Sequence, residues 1–271
     1  MPAVRTHGHA APRLAARRRL EEPRASEGSP RQLGYRAPGR AARALARRSD
    51  HPRRRAARGP RPARPSDGDH VTRRGRLIVL EGGEACGKST QAQLLAEALG
   101  AVVTHEPGAT PVGRRIRAVV LDAALEALDP RAEALLLAAD RAQHAAEVLR
   151  PALAAGRDVV SDRFTGSSLA YQGFGRGLDV DELRRLSAWA TDGIEADLVI
   201  LLDVPPDVAH SRQTTAPDRL EAEEAGFHER VAEGFRALAA AEPERWAVVD
   251  GTGSVEEVAA RVRKVSEAFF S

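Results

Sequence analysis

The sequence predicts an α/β fold of three layers, with a five-stranded parallel sheet flanked by helices. From residue 76 onward, apolar runs typical of buried strands alternate with the Leu- and Ala-rich spacing of helices. The run DLVILLDV is almost continuously apolar, as expected of a central strand in a parallel sheet. Strands joined by helical crossovers form such sheets. Their carboxyl ends then meet at one edge, where ligands bind.

The predicted elements follow one another in a regular order. Apolar runs predict strands over residues 77–81, 101–105, 158–161, 197–204 and 246–250. Helical spacing predicts helices over residues 88–99, 116–128, 131–149, 180–191 and 255–269, with a further helix starting at 205–206. Pro130 is typical of a helix start, because the first turn needs no N–H from it. Ser254 is expected to cap the last helix.

The charge is divided unevenly along the chain. Residues 1–75 contain 20 Arg, no Lys and 6 Asp or Glu, a net charge of +14, so the +3 of the whole chain leaves −11 for residues 76–271. This N-terminal quarter is rich in Ala, Arg, Pro and Gly, and we expect it to be a disordered extension. Three interpretations stay open: a tail for nucleic acid or acidic surfaces, a transit peptide, or a start assigned too far upstream of Val71.

Cysteine content and hydropathy exclude several classes of protein. A single cysteine, Cys86, cannot form an internal disulfide and is typical of a reducing compartment. No apolar run approaches the roughly 20 residues that span a bilayer. Residues 1–30 also lack the apolar segment of a secretory signal. We therefore expect a cytoplasmic protein without membrane contact.

A glycine-rich loop after the first predicted strand carries the strongest functional signal. The segment GGEACGKS, residues 82–89, matches G-x-x-x-x-G-K-[ST] between a strand and a helix. Its backbone N–H groups can cradle phosphates, Lys88 can reach the β- and γ-phosphates, and Ser89 can hold Mg²⁺. The sequence thus predicts a P-loop NTPase fold that takes ATP and Mg²⁺ as cofactors.

Polar residues follow the other predicted strands. Glu106 comes after the second strand, Asp162 and Arg163 after the third, and Asp203 ends the fourth. In a parallel sheet these positions converge on one cleft beside the glycine-rich loop. We therefore expect an acceptor site there. Cationic Arg side chains suit it, because their planar fork binds phosphate oxygens in pairs.

Six segments in this order and spacing resemble bacterial thymidylate kinase, a P-loop nucleoside monophosphate kinase. They are RLIVLEGGEACGKSTQ, THEPGATPVGRRIR, LLLAADRAQH, SDRFTGSSLAYQGFGRG, DLVILLDV and PDRLE. The similarity covers residues 76–271, and DR-x-x-x-S-S-x-A-Y-Q-G is its most diagnostic part. The resemblance implies transfer of the γ-phosphoryl group of ATP to dTMP, giving dTDP for dTTP biosynthesis, by a homodimer.

The resemblance also implies roles for individual residues. Catalytic roles would fall to Glu84, Lys88, Arg163, Arg212 and Arg219. Phosphate binding would fall to Gly82, Gly83, Glu84, Ala85, Cys86, Gly87, Lys88, Ser89 and Thr90, with Ser89 and Asp162 at Mg²⁺. The acceptor would contact Glu106, Leu137, Arg141, Arg163, Ser167, Ser168, Tyr171 and Gln172. Tyr171 would crowd a ribose 2′-hydroxyl, favouring a deoxynucleotide.

A lid over residues 210–224 is expected to complete the positive charge. Between its terminal glycines the phosphate-binding loop has Gly, Glu, Ala and Cys but no arginine. The resemblance implies membership of the class of thymidylate kinases in which the lid, rather than the phosphate-binding loop, supplies the arginine. Arg212 and Arg219 lie in this segment, and Arg219 stands in Asp218-Arg219-Leu220-Glu221, like the D-R-[IL]-E of the family.

Three positions depart from the family pattern. His105 stands where arginine is common, Leu137 where an aromatic residue stacks on the base, and Phe164 where tyrosine is usual. Because Leu137 cannot stack, a related nucleoside monophosphate kinase with another acceptor stays open as an alternative. A nucleotide-dependent nucleic-acid-binding protein, acting through the Arg-rich extension, is the alternative from another class.

Overall fold

The computed structural model of the protein describes residues 73–125, 128–213 and 217–271. The expectations for the Arg-rich extension therefore lie outside the described residues, except at 73–75. Within the described ranges, no helix has both the length and the apolar character needed to cross a membrane.

The described residues form a five-stranded sheet in the order β2-β3-β1-β4-β5, with every neighbouring pair parallel. Its strands are β1 (Leu77–Glu81), β2 (Val102–His105), β3 (Val159–Asp162), β4 (Leu198–Asp203) and β5 (Trp246–Asp250). The predicted five-stranded parallel sheet is confirmed. In the register, Asp162 pairs with both Leu80 and His105, so the carboxyl ends of three neighbouring strands lie side by side.

Helices cover both faces of this sheet. They are α1 (Lys88–Leu99), α2 (Pro111–Val120), α3 (Pro130–His144), α4 (Arg150–Ala154), α5 (Thr165–Ser168), α6 (Val180–Thr191), α7 (Pro206–Ser211), α8 (Ala225–Ala241) and α9 (Val255–Phe270). A π-helical turn, Ala145–Leu149, joins α3 to α4, and a second one, Leu169–Gly175, follows α5. As predicted, Pro130 starts α3, and Ser254 caps α9 by accepting from the N–H of Glu257.

Two helix predictions differ from the structure. The helix expected over 116–128 begins earlier, at Pro111, because the Thr110 hydroxyl caps it by accepting from the N–H of Gly113 at 2.9 Å. It ends at Val120. The sequence did not predict α8, whose buried face is formed by Phe227, Val231 and Phe235.

The apolar core consists of one cluster on each face of the sheet. Leu77 and Val79 of β1 pack with Phe227 and Phe235 on one face. Ile78 and Leu80 pack with α1 and α9 on the other. Because successive strand residues point to opposite faces, a strand buried on both sides is apolar along most of its length, and β1 departs from this only at its last residue, Glu81. All five residues of β1 are buried, and this fixes the loop that follows it.

Candidate active site

The loop after β1 has the shape of a phosphate cradle. Gly82 has φ 144°, and a Cβ there would lie 2.7 Å from the carbonyl oxygen of Leu202. Gly87 has φ 96° and directly precedes α1. The buried Lys88 ammonium bends back over the loop and donates to the carbonyl of Gly83 at 2.5 Å. The loop N–H groups, the start of α1 and this ammonium together favour an anion.

Ser89 and Asp162 meet at the edge of the cradle. The Ser89 hydroxyl donates to Oδ2 of Asp162 at 2.5 Å. Oδ1 of Asp162 is buried and has no hydrogen-bond partner among the described residues. A hydroxyl and a carboxylate with a spare oxygen form the kind of ligand set that Mg²⁺ prefers. These two residues therefore fit the predicted magnesium site.

A cleft of about 1000 Å³ opens in front of the loop. The segment after β5 lines one side of it, and Arg212 holds that segment with two hydrogen bonds of 3.1 Å to the carbonyl oxygen of Gly251. His105, at the end of β2, lines the opposite side with Arg117. Partial burial and the nearby Arg117 lower the pKa of His105, against the pull of Asp162.

Arg163 connects this loop with a second pocket. Its backbone φ is 70°, an unusual value for a residue other than glycine. Its guanidinium donates to Glu84 Oε1 at 2.7 Å, to the carbonyl of Gly82 at 3.1 Å and to Ser167 at 3.0 Å. The hydroxyl of Tyr171 donates to the same Glu84 oxygen at 2.5 Å. Four predicted site residues, Glu84, Arg163, Ser167 and Tyr171, therefore form one cluster.

The charges in this cluster decide the ionisation of Glu84. Burial alone would raise its pKa, but Arg163 and Lys88 outweigh burial and lower the pKa to about 2. Glu84 is therefore a carboxylate at neutral pH. It can hold both the arginine and the tyrosine in place.

Glu81 is a buried residue that the sequence analysis did not single out. It is the last residue of β1, and its Oε1 accepts from the N–H groups of Phe164 and Ser167 at 3.0 and 2.9 Å. Its Oε2 accepts from the Ser167 hydroxyl at 2.6 Å. Burial raises the pKa of Glu81, although these donors and Arg163 act against it. The carboxyl fixes the turn that carries Arg163 and Ser167.

The second pocket is the candidate acceptor pocket, and it is lined by every residue that the resemblance predicted for substrate binding. These are Glu106, Leu137, Arg141, Arg163, Ser167, Ser168, Tyr171 and Gln172. Phe164 and Arg117 also line this pocket. Arg117 belongs to both cavities, a role that its place in the RRIR segment did not reveal. The structure brings the predicted residues together, while their binding roles stay predictions.

Arg141 is held firmly in the wall of the acceptor pocket. Its side chain donates to Glu106 Oε2 at 2.8 Å, Ser187 at 3.2 Å, Ser168 at 3.0 Å and the carbonyl of Phe164 at 3.1 Å. A guanidinium has five N–H groups. One of them, on Nη1, therefore has no acceptor among the described residues.

The other oxygen of Glu106 is held by a histidine that the sequence analysis passed over. His144 Nδ1 donates to Glu106 Oε1 at 2.8 Å, and His144 Nε2 lies 2.7 Å from the hydroxyl of Thr104. All three side chains are buried. The only sequence signal for His144 was its position in the LLLAADRAQH segment. Buried donors on both sides therefore fix Glu106 at the pocket wall.

The two arginines of the predicted lid, whose residues 214–216 lie outside the described residues, occupy different places. Arg212 lines the cleft in front of the phosphate loop. Arg219 lies apart from it, because its side chain donates to the carbonyl of Val120 at 2.8 Å and to Glu133 at 2.5 Å. The structure therefore does not bring Arg219 to the phosphate loop. Its catalytic role stays a prediction.

Asp140 also lines the acceptor pocket and was not predicted as a site residue. Its Oδ1 accepts from the N–H of Gly108 at 3.0 Å, whereas Oδ2 is buried without a partner among the described residues. Burial, and then the nearby Glu106, raise the pKa of Asp140 to about 6. This carboxyl therefore titrates just below neutral pH.

We expect Asp140→Asn to change how stability depends on pH. The raised pKa means that the folded protein keeps a proton which the unfolded chain releases. Protonated Asp140 therefore contributes to the free energy of unfolding below about pH 4, and this contribution is lost as pH rises through about 6. Relative to the variant, the wild type should lose roughly 2 kcal/mol of unfolding free energy between about pH 4 and 7. Urea unfolding at both pH values measures it. The exposed Asp181→Asn is the control, and equal pH profiles for wild type and Asp140→Asn would contradict the expectation.

Comparison with known proteins places the chain in a family. The family model for thymidylate kinase matches residues 80–262. Thymidylate kinase of Synechococcus sp. (strain JA-2-3B'a(2-13)) is 50% identical over 196 residues, covering 70% of this chain and 94% of that protein. That of Leifsonia xyli subsp. xyli is 52% identical over 201 residues, covering 71% and 95%. A crystal structure of thymidylate kinase from Ehrlichia chaffeensis matches with a TM-score of 0.60 at 29% identity, covering 71% of this chain and 98% of that chain. The chain therefore belongs to the thymidylate kinase family and is an enzyme.

Proposed function

We propose that this enzyme transfers the γ-phosphoryl group of ATP to dTMP, giving dTDP for dTTP biosynthesis in the cytoplasm. The observation that carries the proposal is the contact of Arg163 with Glu84. This ion pair of 2.7 Å joins the phosphate loop to the acceptor pocket. A donor phosphate on the loop and an acceptor phosphate beside Arg163 would then be neighbours. Family membership supports the same reaction.

The chemistry requires positioning rather than proton transfer. The nucleophile is a phosphate oxygen, which is already anionic, so no general base is needed. Lys88 would neutralise the donor phosphates, and Arg163 would orient the acceptor phosphate for in-line attack. Bound Mg²⁺, held through Ser89 and Asp162, would neutralise charge on the donor phosphates.

The acceptor pocket favours a deoxynucleotide. Tyr171 is buried, and its hydroxyl is held by Glu84 at 2.5 Å, so its ring has little freedom to move. A ribose 2′-hydroxyl placed against such a ring would have little room. Leu137 offers apolar contact to the base in place of an aromatic face.

We expect dTMP to be the best acceptor in a panel with dUMP, dCMP, dGMP and AMP. A coupled assay of ADP release with ATP and Mg²⁺ measures kcat/KM for each. Lys88→Ala should lower turnover with dTMP by about a thousandfold, because it removes a cation from the transferred phosphate. A different best acceptor would instead favour the alternative of a related nucleoside monophosphate kinase. No turnover with any acceptor would overturn the proposed function.

We also propose that lid arginines complete the positive charge around the transferred group. The loop has no arginine, and Arg212 already lines the cleft. Arg219 would have to leave Glu133 to reach it. Arg219→Ala and Arg212→Ala should each lower kcat by about a hundredfold or more with little change in the KM for ATP, since an arginine acting in the transition state affects kcat.

The control for the lid prediction is Arg185→Ala. Arg185 is an exposed arginine on α6, away from the cleft. It should keep wild-type kcat and KM. If a lid variant changed the KM for ATP as much as kcat, or changed neither, the proposed lid role would be wrong for that residue.

The family resemblance and the exposed apolar surface support a homodimer. Trp189 of α6 is 82% exposed and Leu135 of α3 is 58% exposed. A second copy of the chain could cover these two apolar side chains. We expect sedimentation equilibrium to give twice the chain mass of 29.0 kDa. Trp189→Asp should shift the protein toward the monomer, whereas Glu256→Gln on α9 should not. A wild-type protein that stays monomeric at about 100 μM would contradict the dimer.

A further inference from the structure

Glu133 is a fully buried carboxylate behind the acceptor pocket. It lies in the first turn of α3 and accepts hydrogen bonds from three side chains. Gln172 Nε2 donates to its Oε1 at 2.8 Å, Arg176 donates to both oxygens at 3.1 and 3.3 Å, and Arg219 donates to Oε2 at 2.5 Å. Glu133 itself does not line the pocket, whereas Gln172 does.

Arg176 and Arg219 keep Glu133 ionised, and Arg176 still contacts both carboxylate oxygens when Arg219 moves to the cleft. Burial would raise its pKa, but the hydrogen bonds from Arg176, Arg219 and Gln172 lower it. An ionised carboxylate only accepts hydrogen bonds. The amide of Gln172 must therefore turn its NH₂ group toward Glu133, because the reverse orientation would place two acceptor oxygens in contact.

This constraint leaves the other end of the amide free. Oε1 of Gln172 is buried and has no partner among the described residues, although the side chain lines the acceptor pocket. A buried acceptor without a partner is costly, by about 1–3 kcal/mol. A donor on the bound base would remove that cost.

We propose that Glu133 is a positioning residue for base selection: it fixes the amide of Gln172 so that the acceptor pocket presents a hydrogen-bond acceptor to the base. The pocket then requires an N–H at that point, as in the imide N3–H of thymine or uracil. Cytosine has an unprotonated ring nitrogen there and is rejected. The inference rests on the proposed function, since it specifies the acceptor of that site.

Arg141 supports the same pattern. Its remaining N–H, on the same pocket wall, can donate to a carbonyl next to the imide N–H. A donor from Arg141 beside an acceptor from Gln172 is complementary to a keto group beside an N–H. Cytosine has the opposite pair, an amino group beside a bare nitrogen. Base selection would thus use hydrogen bonds where Leu137 offers no stacking.

The test compares dUMP with dCMP, which differ only at N3 and C4. The wild type should prefer dUMP in kcat/KM by about a hundredfold or more. In Glu133→Gln the neighbour can donate or accept, so the Gln172 amide can turn over, and the preference should fall about tenfold. Gln172→Met removes the amide without leaving a charge unpaired, and the preference should fall as far or further.

The double variant separates positioning from a general structural role. If Glu133 acts through Gln172, then adding Glu133→Gln to Gln172→Met should leave the dUMP/dCMP ratio unchanged. A merely structural role would slow both acceptors equally and leave the ratio of the single Glu133→Gln variant at the wild-type value. If Glu133→Gln does not fold, Glu133→Asp replaces it, because it keeps the charge and withdraws it from Gln172.

Glu223→Gln is the matched control. Glu223 pairs with Arg176 Nη1 at 2.6 Å in the same network but does not contact Gln172, so its substitution should leave the ratio unchanged. An unchanged ratio in Gln172→Met, or a ratio that Glu223→Gln lowers as much as Glu133→Gln does, would overturn the inference. If the wild type phosphorylates dTMP but neither dUMP nor dCMP, the ratio of the dissociation constants of dUMP and dCMP, measured by calorimetry with the same variants, replaces the kinetic ratio. Absence of any phosphorylation would instead refute the proposed function.

Discussion

Arg163 and Glu84 form an ion pair that joins the phosphate loop to the acceptor pocket, and the geometry of both depends on it. The arginine follows β3 and the glutamate lies in the loop after β1, so the pair connects the ends of two adjacent strands. Both side chains are largely buried. A pair of this kind adds little net stability, but removing one partner leaves the other charge buried and unpaired. The pair thus fixes geometry more than it stabilises the fold.

Three further carboxyl groups support the site in the same way. Glu81 holds the turn that carries Arg163, Glu106 holds Arg141, and Glu133 holds Gln172. Each is buried, and each accepts from donors that lie at least 35 positions away in the chain. Because a buried carboxyl must be satisfied, each one permits few arrangements of its neighbours. Residues that line the pocket are thereby positioned by groups that do not all line it themselves.

Much of the fold follows from patterns that are local in the sequence. Strands buried on both faces form nearly continuous apolar runs, and β1 and β4, which are apolar up to the acidic residue that ends each of them, were predictable for that reason. Helix boundaries were less predictable, because caps depend on single side chains such as Thr110. The conformation of the segment after Phe164 was harder still to predict. Its π-helical turn contains two glycines and depends on packing against α8.

The sequence by itself determined the parallel α/β architecture, the phosphate loop and the residues that gather at the strand ends. Their spacing along the chain and the direction of parallel strands are enough to bring them to one edge. Only the tertiary structure decided what holds those residues. Arg219 meets Glu133 across 86 positions, and Glu81 meets Ser167 across the same separation. Such partners are selected by burial and by the need to satisfy buried charge, which no local pattern records.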